Sequence, residues 1–271
     1  MSGAPDPLVY EPGDVEAARK VALLIPGALA RIAMFAPAEK WRAQGYALVY
    51  YRFPGLDGLP LAPELDIEGA AAHVAAFCVR HPGKQFYLLG YSTGGPIAIR
   101  AAERIGGDVR VAAMSSAVQQ AGGLVSAGQI ARDVLAAAAQ ARSARRNVVW
   151  LAYFKQLLFG RAVLQNSALD AQAAKLLAAH LPDMIYPDPP LLAAHSDALR
   201  RWTLPKGQRL ASDRLAFFSG AADPVFSPDQ TATFAAHFGA PASTLYPGHG
   251  HLLFMTHPAV FDDVLAFFER K

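Results

Sequence analysis

Cysteine is almost missing from this chain of 271 residues, with Cys78 its single thiol. An intrachain disulfide and a cysteine-rich metal centre are both excluded. Charge is sparse too: 17% of residues are charged against 53% hydrophobic, and the formal net charge is +3. The Lys and Arg residues are scattered and do not alternate with aromatics, so no nucleic-acid platform is expected. Long apolar runs are also lacking. The longest strongly apolar segment, Asn147 to Phe159, contains Lys155 and is too short to cross a bilayer. Met1 to Pro7 has neither the basic start nor the apolar centre of a secretory signal. A cytoplasmic protein without a membrane span is therefore expected. No two of its histidines have metal-site spacing beside carboxylates, so neither a metal nor a cofactor is expected.

What the chain does have is a rhythm. Short apolar runs end in turn residues and alternate with helical patterns. Val21–Ile25 meets Pro26-Gly27, Tyr46–Tyr51 meets Arg52-Phe53-Pro54-Gly55, and Val109–Met114 meets Ser115-Ser116. Arg214–Phe218 meets Ser219-Gly220, and Ser243–Tyr246 meets Pro247-Gly248. These runs are continuous rather than alternating, as strands buried on both faces of a parallel sheet require. Helical patterns fill the gaps at Ala38–Gln44, Ile67–Arg80, Thr93–Ile105, Pro228–Phe238 and Pro258–Arg270. The fold class is therefore α/β, a doubly wound, mostly parallel sheet flanked by helices.

The rhythm breaks between Val118 and Pro205, where helical patterns at Gln129–Arg145, Val148–Phe159 and Asp170–Leu181 have no strand between them. Four prolines in 182–190 are read as breaking any helix there. Residues 1–117 and 206–271 are assigned to the core and 118–205 to a helical cap. The apolar face of Trp150, Leu151, Phe154, Leu157 and Leu158 packs on that core, lines an apolar pocket, or does both.

The most informative stretch is Gly90-Tyr91-Ser92-Thr93-Gly94, directly after the run Gln85–Leu89 and before a helical pattern. A serine on a sharp strand-to-helix turn needs a positive φ, and the residues two on either side come too close for side chains. Gly90 and Gly94 meet that demand. A serine hydroxyl needs a base, and the base needs a partner to fix its tautomer. Past the next-to-last strand lies Asp223, in Gly220-Ala221-Ala222-Asp223-Pro224. Past the last lies Tyr246-Pro247-Gly248-His249-Gly250-His251, with two candidate bases. The order Ser, Asp, His is the one this architecture uses. Asp57 is read as a turn residue, Asp213 lies at the wrong edge of the sheet, and Asp229 belongs to the first turn of a helix.

These residues resemble the α/β-hydrolase fold superfamily from Val21 to the closing helix. In that family a Gly-x-Asp segment supplies the acid and a Gly-His after the last strand supplies the base. The resemblance therefore implies Asp223 and His251, leaving His249 on the loop and His257 capping the last helix. The stretch from Tyr51 to Ala101 also resembles the thioesterase domains of peptide and polyketide synthesis. Those domains often place the acid one strand earlier, where this chain has Met114-Ser115-Ser116-Ala117-Val118 and no acid. An oxyanion would need two N–H donors. Thr93 is expected to give one, and the loop Ile25-Pro26-Gly27-Ala28-Leu29 the other. The family usually has His-Gly there. Pro26 has no N–H, so Ala28 is assigned, with Leu29 the alternate.

The function implied is a cofactor-free serine hydrolase acting on a small-molecule ester or thioester, free or carrier-bound, with an apolar acyl group. Lactonase, amidase or peptidase activity on the same triad remains open, as does a catalytically silent ligand-binding protein.

Overall fold

The apolar runs become seven strands: β1 (Leu8–Val9), β2 (Lys20–Ile25), β3 (Tyr46–Tyr51), β4 (Gln85–Tyr91), β5 (Arg110–Met114), β6 (Leu215–Gly220) and β7 (Ala242–Tyr246). The structure is a computed structural model describing residues 5–117, 132, 134–136, 139, 145–206, 210–239 and 241–270. The sheet runs in the order β1-β3-β2-β4-β5-β6-β7. All pairs are parallel except β1 with β3. The chain steps from β2 outward to β3, then crosses back to β4 on the other side of β2. Loops leaving β2 and β4 therefore diverge at one edge of the sheet, the switch point at which open α/β sheets generally place their sites.

Burial follows the two-residue period of a strand. Leu23 and Ile25 of β2, Leu88 of β4 and Phe217 of β6 face one layer. Ala22, Leu24, Leu89 and Phe218 face the other. The first layer holds α2 (Ile67–Arg80), α3 (Gly94–Ile105) and α7 (Pro228–Ala236), through residues such as Val74, Phe77, Ile97 and Phe234. The second holds a 3-10 segment, Ile32–Gln44, and α9 (Val260–Phe268), through Phe35, Trp41, Phe261 and Phe268. Each fully buried Phe or Leu contributes about 1.5–3 kcal/mol, so this two-sided burial dominates the sheet's stability.

Some boundaries differ from expectation. The helix expected over Ala38–Gln44 is 3-10 and starts at Ile32, with Pro37 inside it. The closing helix starts at Val260 rather than Pro258, because the short α8 (Leu253–Thr256) ends at His257. His257 therefore terminates α8 instead of capping the last helix. The antiparallel β1 and the helix α1 (Pro12–Ala17) were not expected.

Between β5 and β6 lie α4 (Arg146–Phe159), α5 (Ser167–His180) and α6 (Pro189–Arg201). The helix expected at Gln129–Arg145 falls largely outside the described residues. Trp150 and Leu157 of α4 join the sheet's core cluster, and Leu158 packs with Ala173 and Leu177 of α5. The apolar face of α4 thus packs inward. Helix α6 corrects the reading of the prolines. Pro189 and Pro190 open it, behind an Asp188 cap that accepts the Leu191 N–H at 3.0 Å. At a helix start the missing proline N–H costs nothing.

The C-terminal end of α6 is tied to α2. Trp202 Nε1 donates to Glu68 Oε1 at 3.0 Å, and Arg100 and Arg104 of α3 donate to the same carboxylate. Burial opposes the Glu68 charge, but these three donors outweigh it and hold the carboxyl at about 2, well below its ordinary 4.5. The stability this provides is fully present above pH 4.5 and is lost as pH falls toward 2. Melting curves of native protein and Glu68→Gln between pH 2 and 6 should show a gap that narrows steadily below pH 4.5. A gap constant across that range would contradict this linkage.

Candidate active site

Ser92 sits at φ +51°, the left-handed region, at the end of β4. For a non-glycine residue this costs about 1–2 kcal/mol, so the turn has to be held from outside. It is held by β5. Ser92 N–H donates to Met114 O at 2.9 Å, and Ser116 Oγ donates to Ser92 O at 2.8 Å. Ser116 thus supports the elbow from the position where an alternative acid could have stood. A Cβ on Gly90 would overlap the Gly94 carbonyl, and one on Gly94 the Ile25 carbonyl.

The acid loop follows β6 and the histidine loop follows β7. The two are laced together: Ala221 N–H donates to Tyr246 O and Ala222 N–H to His249 O, both at 2.9 Å. Asp223 Oδ1 accepts the N–H groups of Val225 at 2.7 Å and Phe226 at 3.0 Å. Its Oδ2 lies 2.8 Å from His251 Nδ1, and His251 Nε2 lies 3.1 Å from Ser92 Oγ. A carboxylate only accepts, so Nδ1 carries the proton. Nε2 is then left unprotonated to accept from the serine hydroxyl. The three side chains are nearly buried, with Ser92 7%, His251 6% and Asp223 5% exposed, so water screens this chain of bonds little.

Tyr91 and Phe226 enclose the imidazole, their ring centroids 5.3 and 5.7 Å from it. Tyr91 OH donates to His251 O at 3.2 Å. Burial pushes this phenol well above its ordinary value, which keeps it a donor. His249 lies apart from the serine. Its ring lies tilted beside His257 with centroids 5.1 Å apart, and its buried Nδ1 has no hydrogen-bond partner among the described residues. Asp57 accepts the Ile32 N–H at 2.9 Å, and Asp229 lies in the first turn of α7. Asp213 precedes β6, at the edge opposite the site.

The loop after β2 lies on Ser92: a Cβ on Gly27 would fall 2.8 Å from Ser92 Cβ. Among the described residues, the N–H groups of Ala28 and Thr93 have no hydrogen-bond partner in the protein. Leu29, the alternate donor, gives its N–H to His195 Nδ1 at 2.9 Å. Thr93 N–H also stands at the start of α3, where the helix dipole favours negative charge.

The segment between β5 and β6 grips these loops through its main chain. Leu158 O accepts from Gly250 N–H at 2.7 Å, and Leu157 O from Leu252 N–H at 2.9 Å, on either side of His251. Gly160, which ends α4 at φ +68°, approaches so near the acid loop that a Cβ would lie 2.5 Å from Ala222 O. The sequence offered no sign of this, because main-chain carbonyls leave no residue signature. His195 of α6 is fully buried, with both ring nitrogens hydrogen-bonded.

The family model described as "Alpha/beta hydrolase family" matches residues 22–264. A search of the curated proteins found no match. Solved structures similar to the chain include an alpha/beta hydrolase enzyme from a Medee basin deep-sea metagenome library. It is 12% identical, with a TM-score of 0.71, over 97% of this chain and 94% of that one. A thermophilic esterase from Thermogutta terrifontis is 15% identical, with a TM-score of 0.66, over 96% and 93% of the two chains. A lipase-esterase related protein from Clostridium acetobutylicum is likewise 15% identical, with a TM-score of 0.66, over 96% and 98%. At such identities these likenesses establish the fold.

Proposed function

We propose that this chain, which belongs to the alpha/beta hydrolase family, is a serine hydrolase that cleaves a carboxylic ester or thioester through an acyl-enzyme on Ser92. The observation that carries this reading is the buried His251 ring, set between Asp223 at 2.8 Å and Ser92 Oγ at 3.1 Å.

In this reading Ser92 Oγ attacks the acyl carbon as its proton passes to His251 Nε2. Asp223 holds the ring in place and stabilises the imidazolium. The carbonyl oxygen gains negative charge and is met by the N–H groups of Ala28 and Thr93, each worth about 10²–10³ in rate. Collapse breaks the bond to the leaving group, which takes the proton from Nε2. Water then attacks the acyl-enzyme, giving its proton to the same nitrogen, and the acid departs as Ser92 is reprotonated. Residues 118–205 act as a cap over a core of 1–117 and 206–271, and its inward apolar side chains favour an apolar acyl group. The substrate is a small molecule or a carrier-bound acyl chain.

A fluorophosphonate probe tests the reading directly. Intact-mass analysis should show one adduct per chain, mapped to Ser92 and missing from Ser92→Ala. A native protein that takes up no probe would identify a silent ligand-binding member of the fold and overturn the proposal. So would a Ser92→Ala variant that is labelled like the native chain.

A further inference from the structure

His195 reaches from α6 to the loop after β2. It is fully buried, its ring edge-on to Phe53 with centroids 5.7 Å apart. Nδ1 accepts the Leu29 N–H at 2.9 Å, and Nε2 lies 2.7 Å from Pro54 O. Leu29 can only donate and the Pro54 carbonyl can only accept. Nε2 therefore carries the proton, and the ring is a neutral bridge between the loops that follow β2 and β3.

The bond falls on a strained residue. Gly27 to Ala30 is a turn closed by Ala30 N–H to Gly27 O at 3.2 Å, and its third residue, Leu29, has φ +60°. That position in such a turn suits glycine or asparagine. A leucine there would be relieved by rotating the Ala28–Leu29 peptide, which returns Leu29 to a negative φ. The rotation would carry the Leu29 N–H away from its acceptor. His195 selects one of these two turn conformations, in the turn that bears the Ala28 N–H and rests on Ser92 through Gly27.

We propose that His195 is a positioning residue for the oxyanion loop: by accepting the Leu29 N–H it holds Ala28 where the developing oxyanion forms. The proposal rests on the reading of Ala28 as an oxyanion donor. It makes the helical segment between β5 and β6 a part of the catalytic apparatus and not only a cover.

The variants His195→Ala, His195→Asn and His195→Gln separate this role from general packing. An Asn side chain can offer an acceptor near the place of Nδ1, whereas Gln reaches toward the place of Nε2 and Pro54. His195→Ala should lower kcat by about 10–100-fold, somewhat less than outright loss of an oxyanion donor, with KM changed less than about twofold. Asn should recover most of the loss and Gln little of it. Hydrogen exchange at the Leu29 amide should accelerate in Ala and Gln and stay slow in Asn, whether or not the protein turns over. A native kcat in His195→Ala overturns the proposal. Should the Ala variant fail to fold, equal kcat and equal Leu29 exchange in Asn and Gln overturn it. Because the fluorophosphonate probe reads Ser92 alone, labelled native protein with an unaffected His195→Ala rejects this inference while leaving the serine hydrolase reading intact.

Discussion

Ser92→Ala is expected to lower kcat by on the order of 10⁴–10⁶ while leaving the melting temperature within about 2 °C of native. The two halves of that result have different origins. The hydroxyl's described bond is to His251, so removing it deprives the proposed mechanism of its nucleophile and the fold of little. The main-chain bonds of Ser92 to Met114 and Ser116 do not depend on the side chain, so the elbow stays. Asp223→Ala should behave differently. It should cost about 10⁴ in kcat, less than loss of the nucleophile or base. It should also destabilise by about 1–3 kcal/mol, because the N–H groups of Val225 and Phe226 lose a buried acceptor. Asp223→Asn isolates the tautomer. An amide N–H facing Nδ1 would drive the imidazole proton to Nε2, and kcat should again fall by about 10⁴ with less loss of stability. The double variant Ser92→Ala/His251→Ala should be no slower than Ser92→Ala, since the residues act as a unit. Steady-state kinetics on an activated ester, read beside thermal melts, checks each expectation. If Ser92→Ala retained even a tenth of native turnover, the acyl-enzyme mechanism would be wrong.

Much of this site could be read from the chain because its geometry is local. A left-handed serine between a strand and a helix demands small residues at fixed offsets, and Gly90 and Gly94 record that demand in the sequence. Burial on both faces makes β2 and β4 continuous apolar runs, so their ends, and the loops that follow, are easy to place. The order of Asp223 and His251 follows from which strands end at that edge. Other parts left weaker traces. β1 is two residues long and cannot show a period. Helix α6 was hidden by prolines that read as breakers in isolation and as starters once Asp188 is known to cap the helix. His195 lies on that helix and meets the Leu29 N–H, a contact that the sequence does not show. The grip of Leu157 and Leu158 on the histidine loop is made by carbonyl groups that every residue has, so only three dimensions could reveal it.

The second large effect concerns the elbow itself. Gly90→Ala is expected to destabilise the protein by about 3 kcal/mol or more, at the upper end for overpacking. The added Cβ would meet the Gly94 carbonyl and the Gly95 nitrogen, which are main-chain atoms of the first turn of α3. A clashing side chain can rotate away, but these atoms cannot. Relief requires α3 to move off the end of β4, and Gly94 is itself pressed against the Ile25 carbonyl of β2. The strain therefore passes from the elbow to the loop that carries Ala28. For a chain of this size the shift in melting temperature should be about 6–12 °C. Gly13→Ala is the matched control. Gly13 lies within α1 with no atom within 4 Å of an added Cβ, and alanine there should stabilise by about 0.5–1 kcal/mol. Activity adds a second axis. Gly90→Ala that remains folded should lose kcat far beyond what its unfolded fraction explains, because Ser92 Oγ leaves the 3.1 Å contact with His251. Equal melting temperatures for the two variants would mean that the turn can open without cost. The left-handed Ser92 would then be a tolerated conformation, not one enforced by the meeting of β4, α3 and β2.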